Sequence, residues 1–329
     1  MGRVSGGKQW AVRRLGSTTE RAVGGNHYVD RVRVGIVILP EDRWWAAEPK
    51  WRAADEYGFD HAWTYDHLGW RSLVDGPWFD AVPTLTAAAG VTSRIRLGTF
   101  VASPNFRHPV PFMRELNTLD DISDGRITLG IGAGTAAFDA QVLGYPELTT
   151  RQRADRFTEF VESLDGLLTT DKFDYTGTYF TAVGARNLPG PVQRPRIPFL
   201  VAANAPRTMR LAARFGAGWV TTGRPADTQQ EWWKSVAEKS AAFDRALEET
   251  GRAEANVPVH RYLSLDAAPV YSLSSVQAFT DAAGLAEELG FTDVVVHWPR
   301  SSGPYEGHES VLENVVDTVL PDLQGRPKE

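Results

Sequence analysis

The sequence predicts an α/β protein folded as a (β/α)8 TIM barrel, and three observations carry this prediction. Eight short apolar runs alternate with longer amphipathic segments over roughly 290 residues, which is the element count of such a barrel. The runs are nearly continuous in Val, Ile and Leu, as expected for parallel strands that are covered on both faces. The chain of 329 residues is long enough for one barrel domain. An open, doubly wound parallel sheet also alternates strands and helices and is the alternative.

Each element is assigned from its residues and its boundaries. Pro40 ends the first apolar run, and Gly58 and Gly90 close the first two helices, since glycine is common just past a helix end. Proline in its first turn marks the start of the third helix. Two β-rich runs around a Thr-Gly turn predict a hairpin over 173–183, inserted between strands four and five. The predicted strands span 32–40, 61–64, 94–100, 126–132, 199–204, 218–222, 257–265 and 293–298. The predicted helices span 44–57, 78–90, 109–123, 150–168, 206–216, 227–250, 274–289 and 309–320.

Charge divides the chain into two predicted regions. Residues 1–31 hold six basic and two acidic side chains, a net of +4, and lack a hydrophobic period, so they are predicted to be a disordered N-terminal tail. Residues 32–329 form the predicted single barrel domain, and their net charge of −10 argues against nucleic-acid binding. The chain has no cysteine and no apolar run long enough to span a membrane, which fits a cytoplasmic location.

Polar residues and glycines follow several predicted strands, and in a barrel the active site lies at these carboxyl ends. The candidates in chain order are Asp66, His67, Ser103, Asn105, Gly130, Gly132, Gly134, Thr135, Asn204, Arg207, His297 and Trp298. Asp66 and His67 could be a catalytic pair or a local hydrogen-bonded turn. The glycines suit close approach of a flat ligand, whereas a dinucleotide fingerprint would require a helix to open at once. No metal site is predicted, because the first strand ends in VILP without a ligand.

The segment AANAPRT, residues 202–208, is a candidate anion site. Small residues end a strand and a helix begins at once, which leaves backbone N–H groups and the positive end of the helix dipole facing the site. Arg207 adds a positive charge there. A plain helix start is the simpler alternative.

The segment RIRLGTFVASPNFRHPVPFMRELNTLDDISDGRITLGIGAG closely resembles the central block of the bacterial luciferase-like superfamily of flavin- and deazaflavin-dependent oxidoreductases. GFDHAWTYDHL and RPRIPFLVAANAPRTMRLAARFGAGWV resemble the blocks on either side. The resemblance implies the same barrel, with the ring of the cofactor over the end of the third strand and a cis peptide bond at Phe100–Val101. It further implies that Ala102 and the glycine block lie along the cofactor, that Ala203–Arg207, which includes Ala205, holds its phosphate, and that His67 faces the reactive side of the ring.

The resemblance leaves two cofactors open. Coenzyme F-420 (F420), an 8-hydroxy-5-deazaflavin, is preferred, and FMN or FMNH2 is the alternative. The predicted function is an F420-dependent oxidoreductase that transfers a hydride to or from an unknown organic substrate. The alternatives are an FMNH2-dependent monooxygenase with a separate flavin reductase and a non-catalytic flavin-binding barrel. A homodimer is expected, as is an F420 or flavin reductase as a possible partner.

Site roles are assigned on that basis. His67 is the predicted proton donor or acceptor, since imidazole titrates near neutral pH. Asp66 is predicted to orient it. Trp70, His297 and Trp298 are predicted to line the substrate side. A proton-donating acid follows the glycine block in some deazaflavin members, but this chain has Thr135 there.

Overall fold

The computed structural model describes residues 31–134, 138–255 and 257–325. The predicted tail over 1–31 therefore lies outside the described residues except for Arg31. The described strands are β1 (Arg33–Val37), β2 (His61–Thr64), β3 (Arg96–Thr99), β4 (Ile127–Gly132), β5 (Lys172–Thr176), β6 (Thr181–Arg186), β7 (Phe199–Ala202), β8 (Gly218–Thr221), β9 (His260–Ser264) and β10 (Asp293–His297). The described helices are α1 (Trp44–Glu56), α2 (Ala81–Val91), α3 (Pro109–Ile122), α4 (Phe138–Val142), α5 (Thr150–Thr169), α6 (Pro206–Phe215), α7 (Gln229–Glu249), α8 (Val276–Glu288), α9 (Glu309–Thr318) and α10 (Leu320–Leu323).

Eight parallel strands of the described chain close into a barrel. Their order is β1-β10-β9-β8-β7-β4-β3-β2, and β1 completes the ring by pairing with both β10 and β2. Closure excludes the open-sheet alternative and confirms the predicted barrel, with each predicted strand found within a few residues of its expected position.

Two apolar layers result from the alternation of side chains along each strand. One layer packs the outer face of the barrel against the surrounding helices and includes Trp51, Phe112 and Phe243. The other fills the barrel interior and includes Leu39 and Phe100. Successive residues of a strand point to opposite faces, so the interior layer forms the floor beneath the carboxyl ends of the strands.

A polar cluster lies inside the barrel, and three of its members, Arg33, His61 and Asp293, are the first residues of their strands. His61 Nε2 lies 3.0 Å from Asp293 Oδ1, while the Trp63 indole N–H donates to His61 Nδ1 at 2.6 Å. Arg33 pairs with the same carboxylate at 2.8 Å. A Cβ at Gly35 would stand 1.7 Å from the His61 ring, so glycine is required for this ring to fit. The cluster occupies the amino-terminal end of the barrel interior and leaves the carboxyl end for a site.

The inserted hairpin is present as β5 and β6, as predicted. Its turn is fixed to α5 because the Glu159 carboxylate accepts hydrogen bonds from the backbone N–H groups of Thr178 at 2.9 Å and Tyr179 at 2.8 Å. Phe180 packs against Phe160 of the same helix. The hairpin thus lies along the outer helices.

Two short helices, α4 and α10, were not predicted from the sequence. The five-residue α4 follows the glycine block and contributes to the site described below. Within the described residues, no helix is both long and apolar enough to cross a membrane.

Candidate active site

The end of β3 carries a bulge beside the glycine block of β4. The Phe100–Val101 peptide bond is cis, as the resemblance implies. Phe100 N–H donates to Thr64 O at 2.8 Å, and Ala102 N–H donates to Gly130 O at 2.8 Å. Ala102 then accepts from Gly132 N–H at 2.9 Å. The bulge is therefore bonded to both neighbouring strands and shapes the rim of the barrel.

The glycines of this block lie against β3 and the residues that follow it. A Cβ at Gly130 would lie 1.9 Å from the carbonyl oxygen of Thr99, and one at Gly132 would lie 2.8 Å from the Val101 side chain. Gly134 has a φ of +70°, and a Cβ there would meet the Asn105 amide at 2.5 Å. The close approach of the end of β3 and of the residues after it therefore requires glycine at these positions, and their place along a flat ligand stays a prediction.

His67 is held by Asp139 of α4. Its Nδ1 atom lies 2.7 Å from Asp139 Oδ2, and the other carboxylate oxygen accepts from Leu68 N–H at 2.7 Å. Asp139 is fully buried, whereas the His67 side chain keeps 21% of its exposure. Because a carboxylate accepts hydrogen bonds, Nδ1 is the ring nitrogen that donates to Asp139, and Nε2 is not engaged in this contact. His67 is thus a fixed, partly accessible imidazole.

Asp66 does not orient His67, which corrects the predicted pairing. Its carboxylate forms a bidentate ion pair with Arg107, at 2.6 Å to Nη2 and 3.0 Å to Nε. Arg107 also contacts Asp80 and Glu115. Burial lowers the pKa of Arg107, but the hydrogen bonds and charge of Asp66 outweigh it and raise that pKa above its ordinary value. Asp66 is buried in this ion pair, which links the loop after β2 to the segment before α3.

His297 belongs to a second carboxylate–imidazole pair that the sequence did not predict. Its Nδ1 lies 3.0 Å from Asp266 Oδ2, and its Nε2 lies 2.7 Å from the Tyr65 hydroxyl. The Tyr65 hydroxyl is 3.1 Å from that of Tyr305, whose ring stacks on His297 with centroids 3.7 Å apart. The Tyr65 ring also contacts the His67 ring edge-on, at 6.1 Å between centroids. Tyr65 therefore stands between the two imidazoles.

Trp70 and Trp298 have different surroundings. Trp70 contacts Tyr65, with ring centroids 5.0 Å apart, and stacks near Tyr305 at 6.2 Å. Trp298 instead stacks on Tyr57 and donates from its indole to Glu309 at 2.7 Å, within the layer between barrel and helices. The substrate-side prediction for Trp298 is thus corrected, because a side chain that follows an inward-facing His297 faces outward.

Arg156 of α5 is a buried cation without a described acidic partner. It is 8% exposed and donates from Nη2 to the Asn105 side chain. Its Nε makes no hydrogen bond within the part of the chain that the structure describes. Burial lowers the pKa of Arg156, since no carboxylate among the described residues compensates for its desolvation. An anion bound against this guanidinium would relieve that cost.

The predicted anion site at the start of α6 lies beside the same helix. Arg207 is half-exposed and pairs with Asp155, the residue before Arg156. Asn204 is exposed and its amide lies between Thr221 and Thr222, at 3.2 Å from the latter hydroxyl. Ala203 is buried and Ala205 is the residue before the first helical turn. The arginine predicted to add a positive charge to this turn is therefore already paired with a carboxylate, and the anion site stays a prediction.

Three predicted cofactor-binding residues remain: two follow β3, and one lies outside the described residues. Ser103 and Asn105 are buried after β3, and the Ser103 hydroxyl accepts from Asn105 N–H at 3.3 Å. Thr135 lies outside the described residues. No group of His, Cys, Asp or Glu suited to a metal ion occurs among residues 31–134, 138–255 and 257–325.

The barrel, the cis bond after β3 and the histidine after β2 are the features that the luciferase-like resemblance of the sequence implies. The family model for luciferase-like monooxygenases matches residues 50–270, about two thirds of the sequence, so the chain belongs to that family.

Relatives within the family include F420-dependent glucose-6-phosphate dehydrogenases. The protein of that name from Kineococcus radiotolerans is 32% identical over 275 residues, covering 77% of this chain and 78% of that protein. The one from Amycolatopsis mediterranei is 30% identical over 274 residues, covering 77% and 80%. Among solved structures, a monooxygenase from Streptomyces bottropensis has a TM-score of 0.71 at 21% identity, covering 88% of this chain and 99% of that one. The F420-dependent tetrahydromethanopterin reductase of Methanopyrus kandleri has a TM-score of 0.68 at 21% identity, covering 89% and 99%.

Proposed function

We propose that this chain is an F420-dependent oxidoreductase that transfers a hydride between the deazaflavin and an organic substrate. The observation that carries the choice of cofactor is the 30–32% identity to dehydrogenases named for F420, extending over about three quarters of the chain. The site supports it with an imidazole fixed by a buried carboxylate and with a cis bond at the end of β3.

The residues present fit such a cofactor. The floor under the rim is apolar, as the face of a flat ring requires, and includes Leu39, Phe100 and Val220. F420 carries a phosphate and further carboxylates on its side chain, and Arg156 offers a buried guanidinium whose Nε is unbonded among the described residues. Arg156 and the turn at Ala203–Arg207 would hold the phosphate, while the backbone of Ala102 and Gly132 would face the ring.

The chemistry that bound F420 supplies is the acceptance or donation of a hydride. His67 supplies one acid–base group on this chain. Asp139 holds its Nδ1–H, so Nε2 is the atom that takes or gives a proton. Asp139 also stabilises the imidazolium that forms when Nε2 is protonated, as a carboxylate does behind a catalytic histidine.

Turnover by the purified protein tests this proposal. The protein is mixed anaerobically with F420 and alcohols that include glucose 6-phosphate, and loss of the oxidised deazaflavin absorbance is followed. His67→Ala should bind F420 but turn over at least about 100-fold more slowly, the usual share of one acid–base group. Unchanged turnover in His67→Ala would remove His67 from the mechanism.

The family description and the Streptomyces bottropensis likeness favour one alternative, an FMNH2-dependent monooxygenase. Oxygen consumption with FMNH2, and no reaction with F420, would support that alternative. A barrel that binds either cofactor without turnover of any substrate would be a binding protein.

Three further expectations accompany the function. A homodimer is proposed and is tested by light scattering of the purified chain. A cytoplasmic location is proposed because the sequence has no cysteine, and cell fractionation tests it. Residues 1–31 are proposed as a tail separate from the barrel domain over 32–329, and a variant that begins at residue 31 should keep the stability and F420 affinity of the full chain.

A further inference from the structure

We propose that Tyr305, Tyr65, His297 and Asp266 form a proton relay that accepts the hydroxyl proton of an alcohol substrate. The inference rests on the proposed function, because hydride removal from an alcohol carbon must be accompanied by loss of the proton on its oxygen. The relay is distinct from the pair formed by His67 and Asp139.

The donor and the acceptor of each hydrogen bond in the relay are assigned starting from Asp266. Asp266 Oδ2 accepts from the backbone N–H of His297 at 2.6 Å and lies 3.0 Å from its Nδ1, and the other oxygen accepts from Ser272 N–H at 2.9 Å. The carboxylate can only accept, so Nδ1 carries the hydrogen and Nε2 of the neutral ring is an acceptor. The Tyr65 hydroxyl, 2.7 Å away, therefore donates to Nε2, which leaves its oxygen to accept from Tyr305 at 3.1 Å.

Burial gives the relay one accessible end. His297 is 1% exposed, Tyr65 is 7% exposed and the Asp266 side chain is fully buried. Tyr305 is half-buried and stacks near Trp70. Burial, together with Tyr305, raises the pKa of Tyr65 well above its ordinary value, so Tyr65 passes a proton on and does not store a negative charge. When Tyr305 takes up a proton, the relay therefore delivers one proton to His297.

His61, the buried histidine at the opposite end of the barrel, belongs to a network that cannot receive a proton from a ligand. His61 also pairs with a carboxylate, Asp293, but its other ring nitrogen accepts from the Trp63 indole N–H. An indole N–H is a donor only and cannot deliver a proton from a ligand. At His297 the corresponding partner is a hydroxyl, which donates and accepts, and a second hydroxyl follows it. His297 can therefore receive a proton through the Tyr65 hydroxyl, whereas His61 cannot receive one through the Trp63 indole.

The proposed step balances as follows. The C–H bond of the alcohol breaks with its electron pair, and the hydride reduces the deazaflavin while the alcohol carbon is oxidised to a carbonyl. The O–H bond breaks as its proton goes to the Tyr305 oxygen. Tyr305 gives its own proton to Tyr65, and Tyr65 gives its proton to His297 Nε2. Asp266 stabilises the resulting imidazolium.

Charged groups around the relay partly offset the effect of burial on its two hydroxyls. The Arg71 cation lowers the pKa of both hydroxyls in opposition to the larger effect of burial, and Arg300 acts in the same sense on Tyr305. Asp266 raises the pKa of both hydroxyls, so its carboxylate favours a positive charge on the neighbouring His297 ring. Tyr271 donates to the backbone carbonyl of His297 at 2.7 Å and takes no part in the relay.

The tautomer of His297 tests the relay without any substrate. Protein labelled with ¹⁵N-histidine is compared with His297→Gln to assign the ring resonances. We expect the Nδ1–H tautomer in the wild type, and an Nε2 shift in Tyr65→Phe that is absent in the matched control Tyr271→Phe. An Nε2–H tautomer in the wild type would overturn the relay, since Nε2 could then accept no proton.

Turnover provides the second test. With F420 and an alcohol that the wild type oxidises, Tyr65→Phe should lower kcat about 100-fold, while KM, the Kd for F420 and Tm stay near wild-type values. Tyr271→Phe, which loses a partly buried hydrogen bond to the backbone of His297, should keep its kcat. Wild-type kcat in Tyr65→Phe would overturn the relay. If the wild type fails to bind F420, the proposed function fails, and the tautomer still decides whether the hydrogen-bond roles are as proposed.

Discussion

His67 Nδ1 lies 2.7 Å from Asp139 Oδ2, although the two residues are 72 positions apart in the chain. This contact joins the loop after β2 to the short helix α4 that follows the glycine block. It fixes which ring nitrogen of His67 is free for chemistry, and it assigns to Asp139 the role that the sequence gave to Asp66.

Replacing Asp139 by Asn should impair catalysis more than binding. An amide can donate to Nδ1 and stabilise the opposite tautomer, and it cannot stabilise an imidazolium, so turnover should fall about 100-fold or more. The Kd for F420 should stay within about threefold, because Asp139 bonds only His67 and Leu68 among described residues. Stopped-flow reduction and fluorescence titration measure the two quantities. Asp121→Asn, on the exposed face of α3, is the control, and equal turnover in the two variants would remove Asp139 from the mechanism.

Arg107 should be more important for stability than an exposed arginine. Arg107→Met leaves the carboxylate of Asp66, 1% exposed, without its bidentate partner. Breaking a buried ion pair in this way should lower the free energy of unfolding by about 3 kcal/mol.

The matched control is Arg210→Met on α6, where Arg210 and Glu249 are both about half-exposed. An exposed ion pair contributes at most about 1 kcal/mol. Urea denaturation at neutral pH measures both variants. Equal losses would show that the Asp66–Arg107 pair does not hold the β2 loop.

Gly130→Ala should disrupt the rim of the barrel. The added Cβ would stand 1.9 Å from the Thr99 carbonyl oxygen, so β3 or β4 must shift. The expected cost is about 3 kcal/mol of unfolding free energy, typical of severe overpacking, together with weaker F420 binding.

Gly90→Ala provides the contrast, because nothing lies within 4 Å of a Cβ there and the residue is inside α2. It should be neutral or stabilising by up to about 1 kcal/mol, since alanine favours helix more than glycine does. Thermal denaturation compares the two variants. A Gly130→Ala protein as stable as wild type would contradict the packing described for the bulge.

Arg156→Met should weaken binding of the phosphate-bearing cofactor selectively. The wild type should bind F420 more tightly than the ribityl deazaflavin that lacks the phosphate, and the variant should lose about tenfold or more of F420 affinity while binding of the shorter compound is retained. Arg210→Met again serves as the exposed control. An equal loss for both ligands would indicate that Arg156 supports the fold of the site and does not contact the phosphate.

Much of the fold follows from the sequence, because strands buried on both faces give continuous apolar runs that helical segments interrupt regularly. The strand ends then identify where His67 and His297 must lie. Partners such as Asp139 and Asp266 were missed, since contacts across 72 and 31 positions leave no local pattern. The outward position of Trp298 could have been found from strand alternation, as it directly follows His297.

The measurement that tests the central claim most directly is a titration of the purified protein with F420 and with FMN and FMNH2 side by side. Deazaflavin fluorescence and flavin absorbance report binding. The proposed function predicts saturable binding of F420 with micromolar or lower Kd and at least about tenfold weaker binding of either flavin. Tight binding of FMN or FMNH2 with no binding of F420 would contradict it.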